Sequence, residues 1–403
     1  MGRERVVIIG AGQAGESVAM GLRTGGYGGD IMLVGEEPYL PYQRPPLSKK
    51  YLSGEWQRER LMLRPDDFWR RMEIEVVTGK AVTAVDAGRH TVAIDGRTIG
   101  WSKLAFATGT EPRPMPDGFV GLRAVHRLRT IDDVDRLGPD FLPGKRLLVI
   151  GGGYIGLETA AVAAMAGLDV TVIERAPRIL ERVACSRTSD HFRALHQSKG
   201  VRIIEDGAIA SVSSQDGQLT AVTLENGETL AADLAVVGVG VLPRTDLAER
   251  AGLHCDNGIV VDVHGRTSKK GIWAAGDCAN FPFGGLPTRL ESVQNAVDLA
   301  EIVADDMLGK TRDYKPVPWF WSDQYDTKLQ IVGLNRGYDS VVAKRAERTF
   351  AHWYLRDGVV VAVDTINDGR TYMAARKLFE KGVKITAEDL ARPDFDPVSV
   401  LRG

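Results

Sequence analysis

Two glycine turns of one design carry the most chemically specific residues of the chain. The first, VVIIGAGQAGESVAMGL, sets Gly10, Gly12 and Gly15 in G-x-G-x-x-G spacing, and Glu36 closes the next apolar run, IMLVGEE. The second, RLLVIGGGYIGLETAAVA, repeats the spacing 141 positions later with Gly151, Gly153 and Gly156, and Glu174 closes DVTVIE. A dinucleotide needs each part of this pattern. The first glycine makes a tight strand-to-helix turn, the second lets backbone N–H groups approach a pyrophosphate, and the third lets helix and strand pack closely. The helix N-terminus faces the phosphates and the distal acid accepts the ribose hydroxyls. One such loop is a weak signal, because glycine turns before helices are common. Two, each after an apolar strand and with an acid 18–21 residues past the third glycine, point to two bound dinucleotides and to electrons passing between them.

These loops need strands before them and helices after them. Val6–Ile9 reads as a strand, followed by a helix to about Arg23 that Gly25-Gly26 stops, and Ile31–Gly35 reads as the second strand. The stretch YLPYQRPPLSKKYLSG cannot start as regular helix, since Pro45-Pro46 exclude it, although Leu47 onward can begin one. LAFATGTEPRPMP is an apolar strand ending in a Thr-Gly turn and a proline cluster, a plausible domain crossing. A second unit follows with the second loop, a polar helix over Ser186–Lys199, a meander and LAVVGVGVLPRT. GIWAAGDCAN resembles a closing strand of the first domain, which makes that domain discontinuous. Ser292–Leu308 is an amphipathic helix. After Pro316-Val317-Pro318 the segments WFWSDQY, LQIVGL, SVVAKRA, FAHWYL and VVVAVDTI read as short strands, and Thr371–Lys381 and Ala387–Ala391 as helices. The expected fold is therefore α/β, with two Rossmann-like dinucleotide-binding domains, one inserted in the other, plus a C-terminal α+β domain. The expected boundaries are 1–112 with 242–316, then 113–241, then 317–403.

Composition narrows the function classes. The 403 residues are 44% hydrophobic and 26% charged with a formal net charge of −2, so binding of nucleic acid through bulk positive charge is not expected. Three cysteines, Cys185, Cys255 and Cys278, form no C-x-x-C or C-x₄-C pair, which argues against a disulfide framework or a redox dithiol. The seven histidines form no ligand motif, and no metal site is expected. No run of about 18 apolar residues offers a membrane span. Five residues before the first strand leave no room for a signal peptide, and the expected compartment is the cytoplasm of a bacterium-like cell.

GAGQAG, ATGTEPR, GGGYIGLE, VVGVGVLP and AAGDCA, in this order and over the full length, resemble the FAD- and NAD(P)H-dependent disulfide-reductase superfamily. Within it, PPLSKKYLSG and PWFWSDQYDTKLQIVG resemble the FAD-dependent ferredoxin reductases of the putidaredoxin reductase type, which serve cytochromes P450 and ring-hydroxylating oxygenases. The last two segments are the specific ones; the superfamily motifs alone leave the electron acceptor open.

The resemblance implies that the first loop holds FAD, with the pyrophosphate at Gly12, Ala14 and Gly15 after the Gly10 turn and the adenosine ribose at Glu36. Val82, Thr108 and Gly109 are carried over as further FAD contacts. Asp277 matches the aspartate at the ribityl or pyrophosphate end, and Arg129 an arginine on the FAD phosphates through charge-assisted bonds. The helix beginning at Val293 would aim its N-terminus at the flavin pyrimidine, where its dipole favours negative charge. Arg44 and Lys49 flank the Pro-Pro turn, where disulfide reductases carry their cysteine pair; this chain has none there. Lys49 resembles the family lysine near flavin N5 and could pair with Glu158. The plain alternatives are a packing turn, a turn aspartate, a surface helix and a solvated lysine.

The second loop would hold the nicotinamide dinucleotide, with Gly151, Gly153, Tyr154, Ile155 and Gly156 around its pyrophosphate. Glu174 would accept both ribose hydroxyls and repel a 2′-phosphate, favouring NADH, although Arg175, Arg178 and Arg182 complicate that choice. Glu158 matches a glutamate that reaches the carboxamide, an exposed helix acid being the alternative, and Gly238 and Gly240 would border the ring. Trp321 matches an aromatic close to the flavin on the partner's side, whereas Trp319 and Phe320 suit an interdomain core equally well. Lys49, Glu158 and Trp321 are thus the candidate catalytic residues. The implied activity is a ferredoxin–NAD(+) reductase passing electrons from NADH through FAD to a [2Fe-2S] ferredoxin, and indirectly to a P450 or oxygenase. Rubredoxin reduction, a flavin NADH oxidase or peroxidase, and redox-dependent binding without catalysis are the alternatives. Arg44, Lys49, Lys50, Arg64, Arg70, Arg71 and Arg289 are candidates for a basic docking face.

Overall fold

The computed structural model of the chain describes residues 4–346 and 349–402. They form two compact units: Met1–Gln43, Arg58–Glu111 and Val241–Pro316 make the first, and Arg44–Gln57, Pro112–Gly240 and Val317–Gly403 the second.

The first unit is built on five parallel strands in the spatial order Ile272–Ala274, Lys103–Phe106, Arg5–Ile9, Asp30–Val34, Ile74–Val77. The central strand, RVVII, buries its last four residues, as a parallel strand covered on both faces must. It runs into the first glycine turn and helix Gln13–Thr24. Helix Val293–Met307 packs on that helix through small residues: a Cβ on Gly21 would stand 2.7 Å from the Cβ of Ala304. An antiparallel sheet of Val82–Asp86, Thr91–Ile94 and Arg97–Gly100 is added outside this layer.

The second unit repeats the scheme. Its parallel sheet runs Arg202–Ile204, Asp169–Ile173, Arg146–Ile150, Leu234–Val237, Val125–His126, with the glycine-loop strand again central. One face is covered by the meander Ile209–Gln215, Gln218–Leu224 and Thr229–Ala231, with Leu148, Ile150, Val222, Leu224 and Val237 in the shared core. The same unit holds a five-stranded antiparallel sheet in the order Trp319–Gln324, Thr327–Gly333, Val359–Ile366, Thr349–Arg356, Ser340–Ala346. Helix Gly369–Glu380 seals it around Val332, Trp353, Val363, Tyr372 and Leu378.

One expectation needs correcting. No helix begins at Leu47: Pro45–Ser48 is one 3₁₀ turn with the prolines at its start, followed by turns, because the next side chains, Ser48 and Lys49, are drawn inward to a buried acid. Segment Arg44–Gln57 packs within the second unit together with Pro112–Gly240 and Val317–Gly403. Among the described residues no helix is long and apolar enough to cross a membrane.

Candidate functional site

In the first unit, the turn after the central strand is forced by contact. Gly10 has φ +111°, and a Cβ there would lie 2.1 Å from the Ala107 carbonyl oxygen; one on Gly15 would lie 1.9 Å from that of Gly10. Gly12, the N-cap of helix Gln13–Thr24, differs. A Cβ on it would meet nothing within 4 Å, so the glycine keeps open a cradle in front of the helix N-terminus. That cradle fits the pyrophosphate of a dinucleotide. Ala14 meets the GDCAN turn, where a Cβ on Gly276 would fall 2.7 Å from the Ala14 Cβ and 3.9 Å from that of Ala296. The first turn of the glycine-loop helix, the turn carrying Asp277, and the start of helix Val293–Met307 therefore converge. Ser292 caps the latter helix, its hydroxyl accepting from Asn295 N at 3.1 Å. Arg289 donates to the Asp277 carbonyl at 3.2 Å, and its Nε is buried without a partner.

Glu36 is exposed and pairs with Arg244 at 2.7 Å. Thr108 Oγ1 donates to the Arg244 carbonyl and Arg244 N to that of Gly109, at 2.7 and 3.0 Å. Val82 opens the added antiparallel sheet, half-buried, just past Lys80, whose N–H donates to Gly35 O at 3.1 Å. Arg44, Lys49 and Arg129 belong to the second unit, where Arg44 Nη1 donates to the Arg129 carbonyl at 2.7 Å.

The second loop shows the same division of labour. A Cβ on Gly151 would lie 2.4 Å from Gly238 O, and one on Gly156 2.0 Å from Gly151 O, while Gly153 again opens on empty space at a helix N-terminus. Glu174 reaches across the turn, its carboxylate accepting from Gly152 N at 2.6 Å and from Ala176 N at 2.8 Å. Arg178 is engaged by Glu181 and Ser189 at 2.5 and 2.7 Å. Arg182 lies with Arg113 beside Gly240, 3.7 and 3.4 Å from where its Cβ would be, and Arg175 is exposed. Ile155 is exposed too, while the Tyr154 ring stacks obliquely on Phe320 at 4.8 Å. Burial, with Asp364 and Glu158 nearby, pushes the Tyr154 phenol well up.

Glu158 is the buried charge of the site, at 3% exposure. It lies one turn past Tyr154 on helix Tyr154–Met165, on the same face. Its Oε2 accepts from Ser48 Oγ at 2.5 Å and from Lys49 Nζ at 2.7 Å, and its Oε1 from Ser322 Oγ at 2.6 Å. A carboxylate this deep is tolerable only when paired and hydrogen-bonded. Sequence reasoning singled out Lys49 and Glu158 but missed Ser48 and Ser322. The available signal was alternation in WFWSDQ, where Phe320, Ser322 and Gln324 share one strand face. The other face carries Trp319 and Trp321, their rings 5.6 Å apart; Trp319 packs on the core of the antiparallel sheet, under the guanidinium of Arg376.

A second buried polar group was also missed. Cys185, His352 and Asp364 bring ligand-type atoms within 4.8 Å of one another. Thr188 donates to Asp364 Oδ2, so its hydroxyl oxygen accepts from His352 Nδ1–H, both at 2.8 Å, and that nitrogen is not free to ligate. Tyr354 donates to the same Asp364 oxygen. Burial first raises the Asp364 carboxyl from 3.8 to about 7, against the lowering by Tyr354 and Thr188. A carboxyl raised in the fold contributes fully below its unfolded value and loses that contribution as pH rises through 7. Asp364→Asn, isosteric with the protonated acid, is therefore expected to gain on wild type by on the order of 3 kcal/mol between pH 5 and pH 8. Urea midpoints at the two pH values measure this, and a constant gap would contradict it.

The basic candidates are mostly neutralised locally: Lys50 by Glu55, Arg64 by Glu16, Arg70 by Asp66, Arg71 by Asp67 and Arg289 by Glu291, all within 3.5 Å.

Two glycine cradles at helix N-termini, each backed by an acid, match a known pattern over most of the chain. Residues 4–300 match the pyridine nucleotide-disulphide oxidoreductase family, and residues 319–401 the reductase C-terminal domain. The chain belongs to this oxidoreductase family. Among its members, rhodocoxin reductase of Rhodococcus erythropolis is 41% identical over 396 residues, 97% of this chain and 93% of its own. Putidaredoxin reductase of Pseudomonas putida is 42% identical over 374 residues, 90% and 89% of the two chains. The crystal structure of the covalent putidaredoxin reductase–putidaredoxin complex superposes with a TM-score of 0.96 at 37% identity, covering 100% of this chain and 99% of that one. The fold is thus the Rossmann-type α/β architecture of the family with its C-terminal reductase domain.

Proposed function

We propose that this oxidoreductase is a ferredoxin–NAD(+) reductase that takes electrons from NADH, holds FAD, and serves a [2Fe-2S] ferredoxin feeding a cytochrome P450 or oxygenase. One observation carries the choice within the family. Ser48, Lys49 and Glu158 form a buried ionic cluster at the segment where disulfide-reducing relatives carry a cysteine pair. Burial pushes the Cys255 thiol up to about 11 and raises that of Cys278, which keeps both protonated at neutral pH. Identity of 41% to rhodocoxin reductase over 97% of this chain, and of 42% to putidaredoxin reductase over 90% of it, supports the same reading.

Bound FAD supplies the conversion between the hydride of NADH and the single electrons an iron–sulfur cluster accepts. The chain supplies binding and charge. Residues 1–112 with 242–316 are assigned to FAD. Gly12 and the N-terminus of helix Gln13–Thr24 receive its pyrophosphate, and Glu36 its adenosine ribose. Residues 113–241 are assigned to NADH: Gly153 and helix Tyr154–Met165 receive the pyrophosphate, Glu174 the ribose hydroxyls and Glu158 the carboxamide. Lys49 holds a fixed positive charge for the electron-rich flavin, Trp321 faces the ferredoxin side, and residues 317–403 form the C-terminal domain. Hydride transfer needs no general acid or base, and its rate rests on orientation. We place its work in the cytoplasm, a compartment that supplies NADH.

NADH-driven cytochrome c reduction should depend on added [2Fe-2S] ferredoxin; equal rates with peroxide, or with rubredoxin in its place, would refute this acceptor. Glu174→Ala should narrow the ratio of kcat/KM for NADH over NADPH about tenfold or more, the scale of a charge-assisted hydrogen bond. A wild-type preference for NADPH would remove the role given to Glu174.

A further inference from the structure

Strand Trp319–Gln324 presents Phe320, Ser322 and Gln324 on one face, and each has a partner elsewhere in the second unit: Tyr154, Glu158 and His196. Tyr154 and Glu158 are successive-turn neighbours on one helix, and His196 comes from helix Ser186–Ser198. Ser322, Gln324 and His196 are fully buried. Their hydrogen bonds can run in only one direction. An ionised Glu158 only accepts, so Ser322 donates its hydroxyl to Oε1 at 2.6 Å. The hydroxyl oxygen then accepts from Gln324 Nε2 at 3.2 Å. That turns Gln324 Oε1 toward His196 Nε2, 2.8 Å away, which must carry the proton. His196 Nδ1 is left to accept from the Tyr325 phenol at 3.4 Å. Burial keeps His196 on its neutral side and pushes the Tyr325 phenol up to about 12, so both hold the protonation the chain requires. Every donor points toward Glu158, and aligned bonds polarise one another.

The carboxylate offers about four acceptor positions. Ser48 and Lys49 occupy both on Oε2, and Ser322 one on Oε1. Among the described residues nothing takes the second acceptor position on Oε1. We propose that the Ser322–Gln324–His196–Tyr325 chain is a positioning device that fixes Glu158 with this single vacant acceptor, so that the enzyme selects a nicotinamide ring bearing a carboxamide N–H donor. This rests on the reading of Glu158 as the carboxamide partner.

Reduced 3-acetylpyridine adenine dinucleotide keeps the carbonyl of NADH but has a methyl group in place of the NH₂. With ferricyanide as acceptor, the ratio of kcat/KM for NADH over this analogue reads recognition of the N–H alone. Ser322→Ala is expected to narrow that ratio about tenfold, chiefly through KM for NADH, with Ser322→Thr restoring it. Glu158→Gln should narrow it at least as much. If Ser322→Ala weakens both nucleotides equally while Glu158→Gln narrows the ratio, the positioning role is overturned and the reading of Glu158 stands. An unchanged ratio in Glu158→Gln overturns both. Should Ser322→Ala fail to retain flavin, Gln324→Ala removes the donor to Ser322 without touching Glu158. A narrowed ratio there supports the proposal, and an unchanged one overturns it.

Discussion

Gly12→Ala should yield a protein whose flavin-free form melts with wild type but holds FAD at least 100-fold more weakly, whereas Gly15→Ala should fail to reach a stable fold. The two glycines share a motif and differ in what surrounds them. Gly12 has ordinary extended dihedrals, and a methyl group there touches no protein atom. The fold bears no cost, but the methyl occupies the space a pyrophosphate needs to reach the N–H groups of the helix. At Gly15 the added carbon would sit 1.9 Å from the Gly10 carbonyl oxygen and 3.1 Å from Leu33 Cδ1. Neither the backbone of the tight turn nor the buried strand can yield, so helix and sheet must separate, at a cost beyond the usual 1–3 kcal/mol or so of overpacking. Gly153→Ala and Gly156→Ala should divide in the same way, with NADH in place of FAD. Flavin absorbance, KM for NADH and thermal midpoints keep the four outcomes apart. A wild-type flavin content in Gly12→Ala would move the pyrophosphate elsewhere.

Lys49→Met is expected to lower both stability and the rate of NADH-driven flavin reduction. It removes the ammonium from a pair in which the carboxylate is almost wholly buried. Breaking such a pair on one side costs about 3–5 kcal/mol, softened by the hydroxyls of Ser48 and Ser322 that still donate to Glu158. The rate should fall on the order of 100-fold, the scale seen when a preorganised charge is lost from an active site. The double variant Lys49→Met with Glu158→Gln, compared with Glu158→Gln alone, separates the two effects. Stability should largely return, because no unpaired buried charge remains, while the rate should stay low. A double variant that recovers both would reduce Lys49 to a structural counter-ion.

What was legible in the sequence is what is local. Both glycine turns, their acids and the apolar strands before them follow from spacing, and helix Val293–Met307 ends one residue inside each expected boundary. Five apolar or alternating runs after Pro318 suffice for the antiparallel sheet, because adjacent strands there pair mainly through short connections. The chemistry around Glu158 was half legible. Lys49 stood out as a charge, but Ser48 and Ser322 are 110 and 164 positions from the acid they bond, and an isolated serine carries no periodic signal. Asp364, Thr188 and Tyr354 were missed for the same reason. The start of the Leu47 segment misled because propensity alone allows a helix there, while the ionic cluster decides otherwise. The near neutrality of the basic candidates was partly readable, since Asp66–Arg70 and Asp67–Arg71 stand at i,i+4 spacing.

An anaerobic titration tests electron flow from NADH through FAD to a one-electron acceptor most directly. The holoenzyme and an excess of oxidised [2Fe-2S] ferredoxin are given limiting NADH, and the visible bands of the cluster are followed. The expected result is about two ferredoxins reduced for each NADH consumed, as splitting of a hydride requires, with neither NADH oxidised nor ferredoxin reduced when flavin is removed. Consumption of NADH without ferredoxin reduction, or ferredoxin reduction by the flavin-free protein, would contradict it.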